Sequence, residues 1–183
     1  MFKYKCTITV AFFYFLFFIM SYSDVFNYFK PYKLVVSPPI SGTVLKYGEP
    51  IDNIEVALLA GFSEYYERTT ITDKDGRFHF EPIIHRQWFK PLSINTNLIG
   101  IQITANINSN QILMWSSHTG LDIHDYVIDN LDNLECDLDD SPYEYHFKNR
   151  VVPNGREHSV FGICRLRGYD EKIHIFPSAK PTT

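Results

Sequence analysis

The stretch IGIQITANINSNQILMW, residues 99–115, restricts the fold more than any other part of the chain. Ile99, Ile101, Ile103, Ala105 and Ile107 alternate with smaller or polar residues, the period-two pattern of a strand with one buried face. Asn108-Ser109-Asn110 supplies turn residues, and Ile112, Leu113, Met114 and Trp115 form a return arm. This stretch is the clearest hairpin in the chain, long enough to form the spine of a second sheet.

The same pattern recurs along the chain. KLVVS (33–37), SGTVLKYG (41–48), IEVALLAGF (54–62) and YERTTITD (66–73) are short, β-branched or alternating, and separated by Gly, Pro, Asn or Asp. EYHF (144–147) and SVFGICRL (159–166) read as closing strands, and KIHIF (172–176) as one more strand in a tail that ends in a frayed PSAKPTT. Pro38-Pro39 bars a central strand from continuing, which suggests an edge or a crossing. Fifteen Phe and twelve Tyr, with 45% apolar and 21% charged residues, are enough for a real core and favour strands. These features predict a mainly β fold, an antiparallel sandwich or small barrel, in one domain over 24–167 with a C-terminal tail at 168–183.

TTITDKDGRFHF (69–80) belongs to this series as two arms around a tight turn. Asp73 and Asp75 invite a calcium reading, but a D-x-D-x-D-G loop with a Glu at its twelfth position and flanking helices is missing, so Asp73-Lys74-Asp75-Gly76 reads as a turn. Residues 83–97, IIHRQWFKPLSINTN, have mixed periodicity and read as a long connection. In LDIHDYVIDNLDNLECDL (121–138), Val127, Leu131 and Leu134 fall on one stripe while Asp125, Asp129 and Asp132 face away, which predicts the one added α-helix. From 121 to 145 there are nine acidic residues and no Lys or Arg, so an acidic face is expected.

The first twenty-three residues combine Lys3 and Lys5, an uncharged apolar block from Cys6 to Met20 and a small-x-small end at Ser21-Tyr22-Ser23. This is the layout of a signal peptide cleaved after Ser23 or of an N-terminal hydrophobic anchor helix, and it implies an exported, periplasmic or membrane-anchored protein. Residues 24–32 then read as a short aromatic lead-in stopped by Pro31. Translation from Met20 would instead yield a cytoplasmic product. Removal of Cys6 with the leader leaves an even pair, Cys136 and Cys164, which suggests one disulfide in an oxidising compartment and two buried thiols otherwise. The net charge of -4 gives no support for nucleic-acid binding, and the membrane enters only through the N-terminal segment.

Two resemblances carry this reading further. Gly42, Gly48-Glu49-Pro50, Val56-Ala57-Leu58, Thr70-Ile71-Thr72-Asp73 and Gly76-Arg77-Phe78-His79-Phe80 resemble the carboxypeptidase regulatory-like (transthyretin-like) β-sandwich. That likeness implies a transthyretin- or Ig-like sandwich acting as an accessory, adhesive or binding domain, with no catalytic residue. The run FNYFKPYKLVVSPPISGTV, the hairpin ending ILMWSSHTG, NLECDL and SVFGICRL also look like a bacterial family of uncharacterised proteins, a domain of unknown function, over residues 26–166.

Chemistry is less legible. Cys136, His146, His158 and Cys164 lack the spacings of a zinc site, and Ser116-Ser117-His118 lacks a nucleophile elbow, so no metal, cofactor or catalytic residue is expected. The sharper candidates are binding residues. Asp122, Asp125, Asp129 and Asp132 offer a docking face for an unknown, basic protein partner, and Trp88 and Phe89 a second contact point. The expected function is a non-enzymatic binding or interaction module of the bacterial cell envelope. Alternatives are a cytoplasmic interaction domain, a module holding glycan or peptide in an aromatic groove, and a metal-assisted hydrolase using His118, His124 or His146 with a nearby Asp.

Overall fold

A computed structural model of the chain describes residues 32–62, 64–88, 98–152 and 154–175. The leader and lead-in segments, Phe89 and the last residues of the tail lie outside them. Of the described residues, those in 35–85 and 98–175 belong to one compact unit, and 32–34 and 86–88 to another.

Among the described residues thirteen strands and one helix follow in order. They are β1 (Tyr32–Ser37), β2 (Ile40–Lys46), β3 (Glu49–Pro50), β4 (Glu55–Gly61), β5 (Tyr65–Ile71), β6 (Arg77–Phe80), β7 (Ile83–Gln87), β8 (Ile99–Ile107), β9 (Asn110–Thr119), α1 (Asp125–Leu131), β10 (Leu134–Asp137), β11 (Tyr143–Phe147), β12 (His158–Gly162) and β13 (Glu171–His174). The larger sheet has seven strands in the order β13-β11-β12-β9-β8-β4-β5, and every neighbouring pair is antiparallel. In the smaller sheet β2 is flanked by β10 on one edge and by β6 and then β3 on the other. Strands β1 and β7 pair in a ribbon of their own.

The alternating residues form the core as their pattern requires. Val56, Leu58 and Ala60 of β4, and Ile99, Ile101, Ile103 and Ala105 of β8, are buried on one face of the larger sheet. Trp115 on β9, Tyr145 and Phe147 on β11 and Val160 on β12 continue that layer. Ile40 and Val44 of β2, Phe78 and Phe80 of β6, and Leu134 and Cys136 of β10 are the buried apolar residues of the smaller sheet. The result is mainly β and sandwich-like. A bond between Cys136 of β10 and Cys164, just beyond β12, joins the two sheets. Beside it Glu135 bridges Arg165, so the two cysteines face each other across a short antiparallel pairing.

Several expectations change. The arms of TTITDKDGRFHF do not form a hairpin: β5 pairs with β4 in the larger sheet, whereas β6 pairs with β2 in the smaller one. The turn exists, with Gly76 N–H donating to Asp73 O at 2.9 Å, but it is an arch between layers. Thr72 sets the corner: its hydroxyl accepts from Ile54 N–H and donates to Ile51 O, both at 2.9 Å. Residues 83–87, taken as part of a connection, are strand β7. The helix ends at Leu131, and Leu134, assigned to its stripe, begins β10. That strand runs parallel to β2, so the smaller sheet is not purely antiparallel. The strand expected at 172–176 is present as β13, which pairs with β11 as the edge of the larger sheet.

Helix α1 is short because little sustains it. No side chain caps its N-terminus at His124, and among its residues Val127, Asn130 and Leu131 are buried. Its anchor is Asn130, whose amide nitrogen donates to Tyr126 O at 2.8 Å and Arg167 O at 3.2 Å, while its oxygen accepts from Arg167 N–H at 2.7 Å.

Candidate functional site

Helix α1 and its approach form one side of a cleft of about 340 Å³. Asp122, His124, Asp125, Tyr126 and Asp129 come from this side. Phe147, Lys148 and Arg150, at the end of β11 and beyond, come from the sheet, with His158 from β12 and Arg167 and Asp170 from the segment after it. The site is therefore assembled from stretches that lie far apart in the chain, placed together by the β11–β12 pairing and by the Asn130–Arg167 hydrogen bonds.

Its floor is a stack of rings. Tyr126 and Phe147 lie 4.4 Å apart between centroids at 19°, Tyr126 and His158 at 5.4 Å and 26°, and His124 and His158 at 4.2 Å and 39°. Burial keeps the Tyr126 phenol protonated well above the usual tyrosine range. Burial first, and the neighbouring His124 imidazole second, hold His158 below the usual histidine value, so its ring is uncharged at neutral pH. Tyr126 Oη and His158 Nε2 are buried and have no hydrogen-bond partner among the described residues. Buried polar atoms are nearly always satisfied, so two orphans in one cleft wall call for a ligand or water that supplies the missing bonds.

The rim is charged on both sides. Asp122, Asp125, Asp129 and Asp132 are all exposed, and none is within ion-pair distance of a cation among the described residues. The first three line the cleft, whereas Asp132 is the C-cap of α1 and does not. Facing them, Lys148 is paired with Asp170 at 3.2 Å, and Lys148 N–H also donates to that carboxylate at 2.8 Å. Sequence reading missed this second side. Lys148, Arg150 and Arg167 share no local pattern with the acidic run, and only the three-dimensional pairing brings them opposite it.

The other candidate residues do not converge. Trp88 is 71% exposed and lies in the other compact unit. Of the four residues weighed as zinc ligands, Cys136 and Cys164 are bonded to each other, and His146 and His158 sit on opposite faces of the larger sheet. His118 is opposite Gly100 on the face that carries His146, away from His124. Ser117 is buried and accepts from Trp115 Nε1 at 2.9 Å. Ser41, His79 and Glu81 form a hydrogen-bonded row, at 3.0 Å and 3.3 Å. His79 and Glu81 are largely open to solvent, and the row is a cross-strand tie between β2 and β6. Asp73, once a metal candidate, uses Oδ1 to accept from Asp75 N–H and Arg77 N–H at 2.9 and 2.8 Å, which holds the arch.

Comparison with known families adds one decisive match. Residues 40–141 match a family described as a domain of unknown function, DUF6795, over more than half of the chain. The chain belongs to this family. No curated protein and no solved structure matches it. The DUF6795 span begins with the first residue of β2 and takes in α1 and Cys136, but it stops before β11, β12 and Cys164. One side of the cleft is thus DUF6795 sequence and the other is supplied from beyond it. No helix among the described residues is long and apolar enough to cross a membrane.

Proposed function

We propose that the protein is a non-enzymatic interaction module that receives a segment of a partner protein in the cleft beside α1. The observation that carries this reading is the set of exposed carboxylates at Asp122, Asp125 and Asp129, unmet by any cation among the described residues, over a wall of stacked rings with polar atoms unsatisfied among those residues. Aromatic walls with a few convergent polar groups are the usual make-up of a recognition site, and unpaired rim charges steer a partner of opposite sign. The partner's docking segment is accordingly basic where it meets α1.

The setting we propose is the bacterial cell envelope, with the N-terminal hydrophobic segment as leader or anchor. The apposed Cys136 and Cys164 support an oxidising compartment. The transthyretin-like character of the sandwich is likewise our reading, supported by the places of two motif residues. A Cβ on Gly42 would come within 2.8 Å of Leu134 Cβ and Phe78 Cζ, and Gly76 has φ +71° with Val44 O 2.6 Å from where its Cβ would stand. Both positions demand glycine for reasons of layer packing.

The test is affinity capture of the full chain from its native cell, alongside a variant carrying Asp122→Lys, Asp125→Lys and Asp129→Lys. A stoichiometric partner held by the native chain and lost by the variant is the expected result. Equal capture by both removes the acidic docking face. Sequencing the captured chain's N-terminus in the same preparation settles the compartment, because a start at Asp24 supports export and a start at Met20 refutes it.

A further inference from the structure

The rim of the cleft is dipolar, and that property says more about the ligand than the acidic side alone. Among the described residues Asp125 and Asp129 on α1 have no cation within ion-pair distance, while across the cleft Arg167 has no carboxylate that close and Arg150 attracts Asp170 without an ion pair, Asp170 being paired with Lys148. A purely cationic ligand would leave the arginines unmet and would be repelled by them. A purely anionic one would meet the same objection at α1. The floor adds a third demand, since Tyr126 Oη, kept as a hydroxyl, and His158 Nε2 each lack a partner among the described residues and would be satisfied by one peptide unit, which carries both a donor and an acceptor. A volume of about 340 Å³ holds only one or two amino-acid residues.

From these features we propose that the cleft receives the C-terminal end of a partner polypeptide whose last residue is arginine or lysine. The basic side chain meets Asp125 and Asp129, the terminal carboxylate meets Arg150 and Arg167, and the last peptide unit lies over Tyr126 and His158. Only a chain terminus places a carboxylate and a basic side chain on the same residue. The inference rests on the docking reading above and narrows its partner to one kind of chain end.

The experiment is calorimetric titration of the full chain at neutral pH with Gly-Ala-Arg, its C-terminal amide, Gly-Ala-citrulline and free arginine. Gly-Ala-Arg is expected to bind, and the amide and the citrulline peptide to bind about tenfold or more weakly, in line with loss of one charged contact. Free arginine, which lacks the peptide unit, is expected to be similarly weakened, and this separates a polypeptide end from an amino-acid ligand. Arg150 and Asp125 are exposed, so their variants fold, and they test the two ends separately. Arg150→Gln should reduce Gly-Ala-Arg to the level of the amide without weakening the amide further, and Asp125→Asn should do the same with respect to the citrulline peptide. Equal binding of acid and amide, or no binding of Gly-Ala-Arg below about 1 mM, overturns the proposal. A captured partner that lacks a basic C-terminal residue, yet is lost by the triple lysine variant, overturns this inference and leaves the docking reading standing. Equal capture by the native chain and the triple lysine variant overturns the docking reading, and this inference with it.

Discussion

Single residues hold the smaller sheet to its turns, and Asp137 at the end of β10 shows how. Its carboxylate accepts from Tyr47 N–H at 3.2 Å, Gly48 N–H at 2.7 Å and Asp139 N–H at 3.1 Å. Burial pushes its pKa up, but these three donors and the nearby Arg165 outweigh it and hold the group below the ordinary aspartate range. A carboxylate depressed in the folded state stabilises above its unfolded pKa, and that stability is lost as pH falls through the folded value. Asp137→Asn should therefore lower the urea midpoint at pH 7, and the gap from the native chain should close below about pH 4. Asp137→Ala, which strands the N–H groups, should cost about 3 kcal/mol in the same assay. Asn130→Ala should cost about 2 kcal/mol by loss of its paired bonds to Arg167, and should widen the cleft as well. Neither role can be read from the sequence, because an Asp or Asn near a turn looks the same whether it faces water or closes a loop some ninety residues away in the chain, as Asp137 does with Tyr47.

Elements were legible where a periodic pattern ran long enough to exclude its rivals. The β8–β9 hairpin is the clearest case: the two strands pair from Ile99 opposite Thr119 to Ile107 opposite Asn110, with one register shift between Ile103 and Thr104 that interrupts the alternation. Asn108 and Ser109 form its two-residue loop with φ of 47° and 68°, the geometry that favours Asn-Gly. Ser109→Gly should therefore raise stability by about 1 kcal/mol, visible as a higher midpoint in thermal melting. Gly76→Ala should act the other way at the β5–β6 arch, costing about 2 kcal/mol or more, because φ is positive and Val44 O occupies the space. That arch was misread from sequence for a physical reason. Asp73 and Gly76 specify a turn, but which strands the two arms join depends on partners elsewhere, β4 for one and β2 for the other. The end of α1 failed similarly: Leu134 fits a helical stripe and equally fits a buried strand position, and pairing with Gly42 of β2 decides between them.

At the scale of the whole molecule the sandwich-like plan was foreseeable from composition and punctuation, whereas the cleft was half visible. Its acidic side is a contiguous run, but its cationic side comes from two separate stretches, residues 148–150 and Arg167, that only the fold brings together. The covalent tie between sheets belongs to this scale too. It closes a loop with a sequence separation of 28, for which chain-entropy reasoning gives about 3 kcal/mol. Cys164→Ser should lower stability by about that amount in urea unfolding, and a reductant should then have no further effect on the variant.

The DUF6795 match ends at residue 141, yet β12 continues the larger sheet directly from β9, and β11 and β13 follow it. That boundary is a limit of sequence similarity and not a seam in the fold. A fragment stopped there would leave β9 with an open row of unpaired amides and carbonyls and Cys136 with a lone thiol. Its natural fate would be association with its own copies, so family members that carry only this span must shield the β9 edge by other means.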